Sequence, residues 1–194
     1  MTKNELFHLL GISDLTALPA RIMEILTGEE TVRNQIYLEL LKLNNHDLSH
    51  DWFQPLYESE LAERKQKKQD FTPPELSIIC SRLTSQEGSI HEPTAGNGSM
   101  IIADWWERQR KRLPWDSYPS QNLVTCWELS ERSIPLLLLN LSIRGIMGYV
   151  YHGDVLENRV IQKYILLNKT DDNLGFSDVI KANINDRIVN DDIR

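Results

Sequence analysis

The chain has 194 residues, 41% of them hydrophobic and 25% charged, with a net charge of −7. That length suits one domain with a substantial core, or a domain plus a helical extension. No apolar run approaches the roughly 20 residues needed to cross a bilayer, which argues against a membrane partner. The acidic balance argues against tight, unaided DNA binding, because a DNA grip needs a basic face to neutralise phosphates.

Residues 1–68 read as a helical N-terminal region. The opening segment has one early lysine and then acids, and reads as mature sequence rather than a signal peptide. Leu6, Leu9 and Leu10 share one helical face, as do Ile22, Ile25 and Leu26. From Glu30 to Leu43, Val32, Ile36, Leu38, Leu40 and Leu41 recur at mostly helical spacing, and Asn44-Asn45-His46-Asp47 ends the run. A further helix is expected from Trp52 to about Lys67. Arg64-Lys65-Gln66-Lys67-Lys68 and Arg108-Gln109-Arg110-Lys111-Arg112 are basic clusters, read first as solvated helix faces.

From residue 69 the pattern becomes alternating. Thr72-Pro73-Pro74-Glu75 is a helix start, with a hydroxyl cap, prolines in the first turn and then an acid. The expected order is a helix over 75–83, a strand over 89–92, a glycine turn, a helix over 99–112 and a strand over 123–127. A helix over 133–144, a strand over 147–152, a helix over 155–167 and a strand over 177–182 follow. This alternation predicts a parallel sheet with helices on both faces. Cys80 and Cys126, both in apolar surroundings, are expected to be buried thiols, which suits a cytoplasmic protein.

Glu92-Pro93-Thr94-Ala95-Gly96-Asn97-Gly98 is the strongest local motif. Its glycines allow tight backbone geometry and close approach of a ligand. No Gly-Lys-Ser/Thr follows, so it is not a phosphate-binding loop. The third glycine of a dinucleotide fingerprint is absent, with Met100 or Ile101 in that region. An acid at the mouth suits a ligand with an amino group and a positive charge. Glu128, at the end of the next strand, is placed to accept two ribose hydroxyls. Asp154, after Gly153 and the third strand, is placed to accept from an adenine amino group or to cap the next helix. Three acids on successive strand ends would converge on one crevice.

These motifs resemble the modification subunit of type I restriction systems, a family of adenine-specific DNA methyltransferases. Gln69-Asp70-Phe71-Thr72-Pro73 is similar to the aromatic-Thr-Pro stretch that packs over the cofactor in that family. Glu92 to Ser99 is similar to its cofactor loop, and Glu128 to its ribose-binding acid. Leu139-Asn140-Leu141-Ser142-Ile143-Arg144-Gly145-Ile146 resembles its Asn-Leu-x-x-Arg-Gly helix end, and Gly153-Asp154 its adenine-binding position. The resemblance covers about residues 50–183. It implies a Rossmann-like α/β methyltransferase fold over 69–194, a partial parallel sheet with flanking helices, and S-adenosylmethionine as cofactor. The implied cofactor-binding residues are Phe71, Thr72, Pro73, Glu92, Pro93, Thr94, Ala95, Gly96, Asn97, Gly98, Glu128, Leu129, Asp154 and Val155.

The chain departs from the family at the base-binding motif. The Asn-Pro-Pro-aromatic sequence that holds a flipped adenine should follow Ala182. Asn183-Ile184-Asn185-Asp186 stands there instead, which leaves Asn183 as the one candidate catalytic residue. The resemblance therefore implies a DNA adenine methyltransferase-like protein of a restriction-modification or mobile-element system that does not act alone. DNA would be reached through an additional subunit. The alternative is a non-catalytic regulatory or assembly subunit. An open edge on the last strand should be covered by the N-terminal helices, by a second copy of the chain or by a methyltransferase partner.

Overall fold

A computed structural model describes residues 1–56, 72–84, 87–113 and 116–188. Its N-terminal helices follow directly from local chemistry. Helix α1 (Lys3–Leu10) opens on a capping box between Thr2 and Glu5 and closes at Gly11, whose φ of 66° is left-handed. Helix α2 (Leu18–Leu26) carries Pro19 in its first turn. Helix α3 (Glu30–Leu43) stops at Asn44, and Asn45 and His46 follow with positive φ.

The buried faces of α1 and α2 are those the spacing predicts: Leu6 and Leu10, then Ile22, Ile25 and Leu26. Helix α3 corrects the expectation. Its buried stripe is Arg33, Tyr37 and Leu40, while Val32 and Leu38 are about half exposed. The polar ends of that stripe have partners, so it tolerates burial. The Tyr37 hydroxyl meets Ser142 Oγ at 2.5 Å, and Arg33 pairs with Asp178 at 2.6 Å.

The remainder is α/β. Helix α4 (Pro74–Thr84) precedes β1 (Ile90–Glu92), α5 (Ser99–Gln109), β2 (Val124–Glu128), α6 (Ser133–Ser142) and β3 (Gly148–Asp154). Strands β4 (Arg159–Leu167) and β5 (Asp178–Ala182) follow. The five strands form one mixed sheet in the order β1-β2-β3-β4-β5. The first three are parallel, and β4 and β5 join antiparallel.

Two expectations are corrected here. Residues 155–167 do not form a helix: Val155–Asn158 is a turn, and the chain returns as β4 against β3. Asn158 takes a φ of 49°, a left-handed position that asparagine tolerates better than most residues. The returning segment Arg159-Val-Ile-Gln-Lys-Tyr-Ile-Leu-Leu167 is rich in β-branched and aromatic residues, which suit a pleated surface. The sheet is consequently mixed rather than parallel.

Helices also do not flank both faces among the described residues. The crossovers β1-α5-β2 and β2-α6-β3 step in the same direction, so right-handedness places both helices on one face. The α1, α2 and α3 residues share a single hydrophobic core with α6, Ile101, Val124, Cys126, Val150, Tyr164 and Leu166. All ten residues of α6 are buried, and each fully buried leucine contributes roughly 2 kcal/mol. Pro135 sits in the first turn, where its missing N–H goes unneeded. The other face has a small cluster of Met147, Ile165 and Leu167 and a stacked Trp127–Tyr151 pair with ring centroids 4.8 Å apart.

A buried polar network joins the 1–68 and 69–194 regions. Arg144, 2% exposed, donates to the carbonyls of Leu48 at 2.9 Å and His50 at 2.6 Å. Asn140 Nδ2 donates to Asp51 Oδ1 at 2.8 Å and to the Asn97 carbonyl at 2.9 Å. Burial lowers the Arg144 pKa to about 10, against the opposing pull of Asp51 and Asp47. It remains charged at neutral pH.

Candidate functional site

The C-terminal ends of β1 and β2 meet the glycine turn. Ala95 N–H donates to the Trp127 carbonyl at 2.8 Å, tying the turn to the tip of β2. Glu128 then gathers two loops. Gly96 N–H donates to one of its carboxylate oxygens at 2.7 Å, and Ser130 N–H to the other at 2.6 Å. Glu128 is 9% exposed. Burial raises its pKa above the ordinary glutamate value, although the N–H groups of Ser130, Gly96 and Leu129 act against that rise. A carboxylate has about four lone-pair positions, so it retains capacity to accept hydroxyls.

The two glycines have different reasons. Gly96 adopts a φ of 55°, a left-handed conformation that favours glycine. At Gly98, with φ of 95°, an added Cβ would meet Leu137 Cδ1 at 3.0 Å. That glycine lets α5 lie close to α6. No side-chain cap closes the N-terminus of α5, so its first N–H groups remain available to an anion.

Glu92 accepts from Thr94 N–H at 3.1 Å, which fixes the Pro93-Thr94 turn. The register sets Glu92 beside Cys126, two residues before Glu128, and Glu128 beside His152, two residues before Asp154. The three acids thus end three adjacent strands, as the spacing predicts. Asp154 accepts from the N–H groups of Leu156 at 3.0 Å and Glu157 at 3.2 Å. It caps the turn into β4 and not a helix. Val155 belongs to that same turn. The chain shifts register between His152 and Gly153, and a side chain on Gly153 would strike the Arg159 carbonyl. The closeness of β4 therefore accounts for Gly153.

The Thr72-Pro73 stretch is anchored by a residue that sequence reasoning missed. Gln54 Nε2 donates to the Thr72 carbonyl at 3.2 Å, and Ser99 Oγ at the start of α5 donates to Gln54 Oε1 at 3.3 Å. Phe71 lies outside the described residues, as do the basic cluster 64–68 and most of the helix expected from Trp52 to Lys67. Leu129 is about half exposed beside Glu128. Asn97 is buried, facing the Asp51 carboxyl.

Asn183 is not brought to this crevice. It follows β5, which pairs with β4 on the side away from β1. Four strand spacings of about 4.8 Å put β5 roughly 19 Å from β1 across the sheet. The Asn183 N–H is engaged by Asp186 Oδ2 at 2.7 Å. The second basic cluster is largely neutralised: Arg108 pairs with Asp104, Arg110 with Glu107 and Arg112 with Glu87.

Among the described residues no group of histidines, cysteines or acids is arranged to hold a metal. Neither cysteine is in a disulfide. Cys126 is buried, and burial pushes its thiol pKa up, with Glu92 and Glu128 adding to the rise. No described helix is long and apolar enough to cross a membrane. No protein-family model matches the chain, and no curated protein or solved structure matches it.

Proposed function

We propose that this chain is an S-adenosylmethionine-binding, DNA adenine methyltransferase-like protein with a partial Rossmann-like fold. The observation that carries the reading is Glu128. It lies buried at the tip of β2 and accepts the Gly96 N–H of the glycine turn. Such a carboxylate suits the two hydroxyls of a ribose.

The residues around it fit the rest of the cofactor. The uncapped N-terminus of α5 suits the methionine carboxylate, and Glu92 suits its ammonium group. Asp154 would face the adenine amino group. S-adenosylmethionine, when bound, supplies an activated methyl group. The chain's own part is to hold it in one orientation, and orientation carries much of the rate of such a transfer.

The position of Asn183 favours a second reading, a non-catalytic regulatory or assembly subunit. In either reading DNA is met through another subunit. Calorimetry with S-adenosylmethionine tests the cofactor site: saturable heat is expected, and none at millimolar ligand sinks the reading. A methyl-transfer assay on DNA, run alone and with a co-purified partner, separates the two readings.

A further inference from the structure

A cavity of about 610 Å³ lies between α2, the start of α6 and the helix-covered face of β3, β4 and β5. It is within the size range of small-molecule sites. Its walls divide by chemistry. Pro19, Ala20 and Met23 of α2, with Ile134 and Pro135 of α6, make one side apolar. His152, Tyr164 and Lys181, from three adjacent strands, make the other side polar.

Tyr164 is 6% exposed, yet its hydroxyl has no hydrogen-bond partner among the described residues and is not one of the oxygens sealed off from solvent. A nearly buried hydroxyl that the fold leaves unpaired, on the wall of a cavity, is one that a ligand can satisfy. Burial, with the charge of Glu131 adding to it, raises the Tyr164 pKa, so the hydroxyl keeps its proton and serves as a donor. Lys181 stands opposite Tyr164 across the β4–β5 ladder. Their Cβ atoms are therefore roughly 5 Å apart on one face, and both can donate to one group. The Lys181 ammonium is in no ion pair among the described residues. His152 lies two residues beyond Val150, the partner of Tyr164 on β3, and adds a further donor from the same face. Lys181 and Arg132 share the lining with one acid, Glu131. That balance favours one negative charge on a ligand, and Glu131 disfavours a second.

We infer that this cavity binds a monocarboxylate with an apolar body. The carboxylate accepts from Tyr164, Lys181 and His152, and the body lies against Met23 and Ile134. The inference does not rest on the cofactor reading of the Glu128 crevice.

Titration calorimetry of the full chain with phenylpropionate tests this. Saturable binding is expected. Phenylpropanol, which has the same ring and no carboxylate, should bind roughly tenfold more weakly or worse, and phenyl phosphate, a dianion, should also bind more weakly. Tyr164→Phe and Lys181→Met should each weaken the acid by roughly tenfold. Lys111→Met, which removes an exposed cation outside the cavity, should leave it unchanged. Tyr164→Phe removes a hydroxyl without a partner in the protein, so it should fold as stably as the parent, which thermal unfolding checks. Absence of saturable binding, equal affinity for the acid and the alcohol, tighter binding of phenyl phosphate, or an affinity that follows Glu128→Ala instead of Tyr164→Phe overturns the inference. Loss of S-adenosylmethionine binding alone bears only on the Glu128 crevice.

Discussion

The parallel half of the sheet, β1 to β3, and the antiparallel half, β3 to β5, are built by different connections. In the first half each strand is followed by a loop and a helix before the next strand. All three strands therefore point the same way, and Glu92, Glu128 and Asp154 finish at one end. In the second half the Val155–Asn158 turn sends the chain straight back. Strand β4 takes the free edge of β3, and β5 can only add outside it. The difference teaches that the length of one connection decides which residues meet. A helix after Asp154 would have left β3's edge open and let the next strand enter elsewhere. A short turn there commits Asn183 to the far edge.

The strongest way to break this comparison is to loosen the antiparallel half. Arg33 is 5% exposed and Asp178 16%, and they pair across to the helical region at 2.6 Å. Lys169 also pairs with Asp178 at 2.5 Å, so Arg33→Ala should remove about 2 kcal/mol of stability, less than a fully uncompensated buried charge would cost. For a chain of this size that lowers Tm by about 4–8 °C, measurable by thermal unfolding. S-adenosylmethionine affinity of the folded fraction should stay within about twofold, because the pair lies outside the proposed site.

The next effect concerns the parallel half. Glu128→Ala should weaken S-adenosylmethionine by roughly 30-fold, about 2 kcal/mol, by removing a charged hydrogen-bond acceptor. Asn183→Ala should leave affinity unchanged. Calorimetry on both variants reads this contrast, and equal losses would mean that the two halves share one site.

A smaller effect appears with pH. Burial raises the Glu128 pKa, and the ionised carboxylate is the form that accepts two hydroxyls. Cofactor affinity should be full above that raised value. It should fall as pH drops through it, by about tenfold per unit, starting at a higher pH than for an exposed glutamate. Stability responds in the opposite sense. The folded state binds this proton more tightly than the unfolded chain, so acidification through the same range relieves the burial of charge. Affinity measured across pH for the parent and for Glu128→Gln checks the sign, since the variant should lose this dependence.

The smallest effect tests the turn. Asn158 has a φ of 49°, so Asn158→Val should destabilise by about 1–2 kcal/mol. Asn158→Gly should be near neutral. Urea unfolding of both variants measures it.

Much of the parallel half was legible in the sequence. Strand ends, the glycine turn and the three acids follow from local chemistry and from strand-helix alternation. The helix faces of α1 and α2 follow from apolar spacing. In α3 an aliphatic reading overlooked Arg33 and Tyr37, whose burial depends on partners more than 100 residues away, such as Ser142. The apolar residues of the 155–167 segment are dense enough to suit either a helix or a strand. Its β-branched and aromatic content, with an asparagine before it, was the available signal for a hairpin. The place of Asn183 was not legible, since no local pattern states which strand a strand will pair with. The role of Gln54 likewise arises only when the 49–54 segment meets Thr72 and the start of α5.

Arg144 has a consequence for how the molecule comes apart. Its guanidinium grips two carbonyls of the 48–50 segment from the turn that follows α6, a helix that is wholly interior. Withdrawing the N-terminal helices would strand that charge in a greasy hole, so the helices and the sheet have no low-energy way to melt separately. Amide hydrogens in α2, α6 and β3 should exchange in a single cooperative class. A protease should find no intermediate in which the amino-terminal third has peeled away.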